Sequence, residues 1–378
     1  MSMEDVKKQD DLEVEVEDLS GGESTELITK PFNPNEIDVD ISTVNLGSLI
    51  EQLENDEIDL QPDFQRAADV WDNVKKSRLI ESILLGLPLP SFYFSEDPRS
   101  QKLSIIDGLQ RICAIRDFML KKDEPLKLEG LQFLKNFEGM TYSQLARPEV
   151  KRIKSLKITM NTLRKGTPLD VKYIIFQRVN TAGEPLTPQE MRHALNQGPA
   201  AAFIKELANM ESFKKATNYS VKSKRMQDRD FVNRFIAFFI GYEDYMGDLD
   251  MFLNDKMGEL NKMTSAQRDD IRISFDKAME CCYQIFGKDT FRKRYKITDK
   301  RKPISKSVYD TLSVNIAWLS DEEQSLLLQN AEVFKEGMIR LFNDERFNFS
   351  ISTGTGQKYN VYIRFTMVKS LIKEIINL

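Results

Sequence analysis

LSIIDGLQRICAI, residues 103–115, sets an acidic residue, a glycine and a Gln-Arg pair between two apolar runs. The first run reads as a strand, and residues 109–120 return to helical spacing. Gly108 between them lets the backbone turn sharply and approach a ligand closely. The unit is therefore strand, tight turn, helix. The first-turn N–H groups of such a helix have no partner within it, and with the positive end of the helix dipole they favour an anion. Arg111 on that turn can add a planar, permanently charged fork for phosphate. Gln110 can donate or accept, and Asp107 can hold Mg²⁺ or orient a water. A second reading uses the same residues without a ligand: Asp107 caps the helix while Arg111 pairs with a carboxylate. The pattern alone leaves both open.

Working outward, SFYF (91–94) and KLSII (102–106) read as strands joined by the turn-forming SEDPRS, and LKITMNTL (156–163) as another. Asp72 or Asn73 caps a helix in VKKSRLIESILLG, ended by Gly86, Pro88 and Pro90. Thr167-Pro168 and Thr187-Pro188 each open a further helix. Residues 45–195 thus interleave strands and helices. Beyond about residue 198 strand signals nearly vanish, and six long stretches read as helices. The fold class expected is α+β, followed by a mainly helical half. The boundaries are a leader at 1–40, a mixed domain at 41–197 and a helical domain at 198–378.

The net charge of −5 hides a split. The first 40 residues carry 13 Asp/Glu against 3 Lys, a net of −10, and the remainder is net +5. The leader is also rich in Ser, Gly and Pro, which reads as disorder. Its one functional alternative is competition with nucleic acid for the basic body. Cys113, Cys281 and Cys282 give neither a disulfide framework nor metal-ligand spacing and read as core residues, as suits a reducing cytoplasm. No secretory signal or membrane span is expected. The single histidine, His193, excludes a zincin and an HNH nuclease, and takes a helix-surface or cap role by default. No GxxxxGK[ST] loop exists. Gly354-Thr355-Gly356 reads as a flexible turn, with phosphate contact as the alternative.

Two other segments repeat the "apolar, Gln, Arg" corner. PDFQRAADVW (62–71) carries Gln65 and Arg66 with Trp71, and FQRVNTAGEPL (176–186) carries Arg178, Asn180 and Thr181. Boundary arginines usually form a solvated face or a cap. Three such corners in one compact half can instead converge on a polyanion.

Taken together, PDFQR…VW…SRLIESILLGLPLPSFYF…LSIIDGLQR…AI and FQRVNTAGEPLTPQEMRHAL resemble the N-terminal domain of GmrSD-type restriction proteins. The resemblance spans roughly 45–200. It extends more weakly to the end, where GTGQKYNVYIRF is similar to a closing Thr/Ser-rich turn and Arg-bearing helix. It implies a ParB/sulfiredoxin-like fold that binds, and in active members hydrolyses, a nucleoside triphosphate with Mg²⁺ in anti-phage defence. The family's D-G-Q-Q-R block falls on Asp107, Gly108, Leu109, Gln110 and Arg111. Leu109 stands where the first glutamine would be, which puts hydrolysis in question and leaves binding intact. The resemblance assigns catalysis to Asp107, Gln110 and Arg111. It assigns nucleotide contacts to Gln65, Arg66, Gly108, Arg178, Asn180 and Thr181. Restriction members pair this domain with an HNH nuclease; this chain ends without one, so a separate nuclease or effector is the expected partner.

KKATNYSVKSKRMQDRDF (214–231) and FRKRYKITDKRKPISK (291–306) interleave cations with aromatics, which suits phosphates and exposed bases. Each loop taken alone reads as solvated. The candidate DNA contacts are Lys222, Lys224, Arg225, Arg292, Lys293, Arg294, Arg301 and Lys302. The leading expectation is an NTP-binding component that contacts DNA and acts with a partner. The alternative is a non-catalytic DNA-binding or scaffold protein on the same fold. DNA cleavage by the mixed domain itself ranks last, since Asp63, Asp69 and Asp107 lack metal-ligand spacing.

Overall fold

The computed structural model describes residues 13–19, 38–60, 71–96, 102–164, 166–179, 187–196 and 198–377. The chain divides into two compact units. One comprises residues 30–195, and the other joins residues 1–29 to 196–378.

The first unit is a mixed five-stranded sheet with helices. Its elements are β1 (Val39–Asn45), α1 (Leu46–Glu54), β2 (Ile58–Asp59), α2 (Asn73–Leu85), β3 (Phe92–Glu96), β4 (Leu103–Asp107), α3 (Leu109–Met119), α4 (Arg147–Ser155), β5 (Lys157–Leu163), α5 (Leu169–Val179) and α6 (Pro188–Leu195). The strand order is β1-β5-β3-β4-β2. β1 runs antiparallel to β5, from Val39 opposite Leu163 to Asn45 opposite Lys157. β5 and β3 are parallel, and β3 and β4 antiparallel. β1 was not legible in the sequence: it begins inside the stretch read as leader, and the adjacent Ser42 and Thr43 interrupt its apolar alternation.

Local chemistry sets the helix ends. The Asp72 carboxylate accepts a 2.7 Å hydrogen bond from Lys75 N–H, which caps α2. Gly86 closes the same helix in the left-handed region at φ 76°. Thr187 and Glu190 exchange side-chain and backbone hydrogen bonds at 2.7 and 3.2 Å, a capping box that starts α6. Phe92, Phe94, Ile112, Ile115 and Met160 are among the buried side chains that join sheet to helices. His193, expected on a helix surface or at a cap, is buried on α6.

The second unit is helical: α7 (Pro199–Asn209), α8 (Glu211–Ala216), α9 (Gln227–Gly241), α10 (Leu249–Leu260), α11 (Ser265–Phe286), α12 (Lys306–Ala317), α13 (Asp321–Gln329), α14 (Ala331–Asn343), α15 (Glu345–Ser352) and α16 (Lys358–Ile376). Every residue of α12 after Lys306 is buried. A helix with this many polar residues can be buried all round because they bond back along it. Thr311 Oγ1 donates to the Ser307 carbonyl at 2.8 Å, Ser313 Oγ to Tyr309 at 2.6 Å and Asn315 Nδ2 to Thr311 at 2.9 Å. Cys281 and Cys282 are core residues on α11, and burial pushes the Cys281 thiol up to about 12. No described helix is long and apolar enough to cross a membrane.

Residues 13–19 correct the reading of the leader as disordered along its whole length. They run extended along the helical unit. Val14 forms a parallel bridge with Ile304, which in turn bridges Arg292. Glu15 N–H donates to the Ile304 carbonyl at 2.7 Å, and Ile304 N–H to that of Glu13 at 3.0 Å.

Candidate functional site

The corner quoted at the outset is formed as its residues dictate. β4 ends at Asp107, which lies opposite Tyr93 of β3. Gly108 turns the chain at φ 102°, and α3 begins at Leu109 with no side-chain cap. A Cβ on Gly108 would lie 2.6 Å from Cδ1 of Phe92, whose side chain is fully buried. Gly108→Ala is therefore expected to cost about 1–3 kcal/mol through strain and overpacking. A lowered thermal midpoint would register it, and an unchanged one would mean that the corner is looser than described.

Arg111 is heavily engaged. Its Nη2 donates to Asp107 Oδ2 at 2.8 Å and to the Ser91 carbonyl at 3.2 Å, and its Nη1 donates to the Pro90 carbonyl. The guanidinium carbon lies 4.5 Å from the centre of the Phe92 ring. Burial raises the Asp107 carboxyl pKa, and Arg111 and the Gly108 N–H oppose that rise without cancelling it. A carboxylate kept ionised in such surroundings costs folding energy, a pattern that clusters at functional sites. Gln110 Oε1 accepts from Trp71 N–H at 3.4 Å. That contact joins the 103–115 segment to the end of the first Gln-Arg block. Leu109 packs partly buried against the core.

Of the other two corners, Gln65, Arg66, Asn180 and Thr181 lie outside the described residues, and Arg178 is exposed at the end of α5. Among the described residues no cluster of three or more His, Cys, Asp or Glu could hold a metal ion. Asp107 can offer Mg²⁺ one carboxylate, which fits an ion drawing its remaining ligands from phosphates and water.

Residues 46–197 match the family described as GmrSD restriction endonuclease, N-terminal domain. This segment is similar to the N-terminal domains of GmrSD type. No curated protein and no solved structure matches the chain. The GmrSD-type segment starts at α1 and takes in α6. β1 lies just before it, yet completes the sheet through β5.

Outside the GmrSD-type segment, the candidate DNA contacts divide. Lys222, Lys224 and Arg301 are exposed and Arg225 is half-buried. Lys302 lies over the Tyr295 ring at 4.6 Å. Arg292 and Lys293 were misread as surface cations: they are 4% and 6% exposed. Arg292 donates to the Lys302 carbonyl and, at 3.0 Å, to Ser220 Oγ, so it ties the two loops together. Burial, with Arg301 nearby, pulls its guanidinium down to about 10. Lys293 Nζ is held by Glu15 at 2.8 Å and Ser352 Oγ at 3.0 Å. Arg294 pairs with Asp289 and donates to the Ile297 carbonyl.

Sequence reasoning missed a buried charge cluster in the helical unit. Arg234 on α9 donates through Nε to Asp310 Oδ1 at 2.9 Å, and through Nη1 and Nη2 to both Glu17 oxygens at 2.9 Å. Asp310 is fully buried on α12, and Arg364 on α16 lies 3.7 Å from it. An acid-basic-acid arrangement spread over residues 17, 234 and 310 has no local signal.

Proposed function

We propose that this protein is the nucleotide-binding component of a restriction-type defence system, with a nucleoside triphosphate held at the Asp107–Arg111 corner. The observation that carries the reading is the α3 N-terminus. It has no side-chain cap, it follows a left-handed glycine, and a partly buried carboxylate flanks it in a segment of restriction-family type. In this reading the N–H groups of the first turn and Gln110 receive phosphate oxygens. Asp107 holds Mg²⁺, which neutralises phosphate charge. Arg111 fixes Asp107 and the 90–91 carbonyls in place. Gln65, Arg66, Arg178, Asn180 and Thr181 complete the nucleotide contacts. Lys222, Lys224, Arg225, Arg301 and Lys302 offer phosphate-neutralising charge to DNA, and a partner effector carries out the damage.

The test is calorimetry of the full-length protein with each of the four ribonucleoside triphosphates and Mg²⁺. Binding of at least one is expected. Asp107→Asn and Gln110→Ala should weaken it about tenfold or more, since a charge-assisted hydrogen bond contributes about 1.5–3 kcal/mol. Absence of heat with all four triphosphates would overturn the reading.

Two observations favour a second reading, a DNA-binding or scaffold protein without hydrolysis. Arg111 is already committed to Asp107, Pro90 and Ser91, and Leu109 packs against the core. Phosphate release with and without DNA separates the two. Binding without release under any condition supports the second.

A further inference from the structure

Residues 13–19 alternate: Glu13, Val14, Glu15, Val16, Glu17. In an extended chain alternate side chains share a face, and each glutamate of this face meets a cation. Glu13 lies 3.6 Å from Lys222, Glu15 2.8 Å from Lys293, and Glu17 forms a two-pronged pair with Arg234. Glu17 also accepts from Thr355 Oγ1 at 3.2 Å and lies 3.9 Å from Lys306. The backbone is held as well, by Ile304 on one side and by Thr355 N–H, which donates to the Asp18 carbonyl at 2.9 Å. Gly354-Thr355-Gly356, read earlier as a flexible turn or phosphate contact, is thus the far wall of this groove.

Two features mark the groove as a receptor rather than a seam of the core. First, its walls are held by bonds that do not involve the leader. Arg234 is oriented by Asp310, and Arg364 donates to the Thr355 carbonyl at 2.6 Å. Asn360 donates to the Thr353 and Gly354 carbonyls at 3.0 and 2.9 Å. Second, the strand is held chiefly by polar contacts. Val14 packs against the core, whereas Val16 and Leu19 remain 67% and 47% exposed. Strand addition of this kind draws affinity from the backbone and specificity from alternate side chains.

We propose that the helical unit contains a binding groove for an extended peptide with carboxylates at alternate positions, that residues 13–19 are its exchangeable intrachain ligand, and that a partner protein presenting such a strand takes the same place. A tethered strand competes intramolecularly, so an outside strand binds weakly until the tethered one is loosened.

The test uses the full-length chain and a fluorescein-labelled peptide DLEVEVEDLS, which copies residues 11–20. A Glu13→Gln/Glu15→Gln/Glu17→Gln variant loosens the internal strand. Its anisotropy titration should show at least tenfold tighter peptide binding than the wild type, and the control peptide DLQVQVQDLS should not bind. A variant that is folded by circular dichroism yet binds the peptide no better than the wild type overturns the proposal. A second measurement stands independently of that variant's folding. A protease site is inserted between Gly21 and Gly22, the chain is cut, and labelled peptide is added in excess. Exchange of the cut leader for the label supports the proposal, and a leader that stays bound without exchange over a day overturns it.

Discussion

Arg234→Ala is expected to destabilise the helical unit by about 3–5 kcal/mol, because it strands two carboxylates, Glu17 and Asp310, that the guanidinium neutralises. Asp310 is fully buried and Glu17 retains 10% side-chain exposure, so water replaces little of what is lost. Chemical denaturation at pH 7 measures the change. Adding Asp310→Asn should recover part of the loss, since it removes one of the stranded charges, and the double-mutant cycle isolates the pair's coupling. A loss below about 1 kcal/mol would show that the cluster relaxes on truncation. The pH dependence of the wild type follows from Glu17. Burial raises its carboxyl pKa, but Arg234 and Lys306 more than reverse that, leaving it below the ordinary glutamate value. Its contribution is therefore complete above the unfolded-state value and fades as pH falls through the lower folded-state value. Acid should release residues 13–19, seen as faster amide exchange at Glu15 and Ile304.

The second large effect belongs to Glu81 on α2. Its Oε1 accepts from Phe133 N–H at 2.7 Å and Leu134 N–H at 2.8 Å, and its Oε2 accepts from Gln132 N–H at 3.0 Å. One buried carboxylate thus gathers the loop that precedes the 3₁₀ turn Lys135–Phe137. Burial raises its pKa and the three N–H groups overcome this, so the net displacement is downward. Glu81→Ala leaves all three donors without their acceptor and should cost about 2–4 kcal/mol. Glu81→Gln keeps an oxygen for two of them and should cost less than half as much. Thermal denaturation ranks the variants, and hydrogen exchange at residues 132–134 shows whether the loss is local. Equal stability of the alanine and glutamine variants would mean that the loop is held elsewhere.

What the sequence made legible is what short-range chemistry decides. β3, β4 and β5 show as apolar runs between turn residues, and the caps at Asp72 and Thr187 use side chains within three residues of the N–H groups they satisfy. The Asp107 corner was legible for the same reason. Its geometry also realises the pairing half of the alternative reading, Arg111 on a carboxylate, with that carboxylate one helical turn away. What escaped depends on distant partners. β1 pairs along the edge that β5 offers it, although it starts within the acidic leader stretch. Arg292 and Lys293 sit in a run of cations that any local reading sends to solvent. They are buried because Ser220, Glu15 and Ser352 receive them from elsewhere in the chain.

The N-terminal strand has a bearing on biogenesis. Its Glu17 meets Thr355, 338 positions later, so the ribosome delivers one half of this clasp near the start of synthesis and the other near the end. The nascent helices emerge with Arg234 awaiting a counter-charge made long before, and loop closure on that scale is slow and entropically costly. A recombinant fragment starting at residue 198 would lack that counter-charge altogether. In such a fragment Arg234 would keep Asp310 but lose both of its bonds to Glu17.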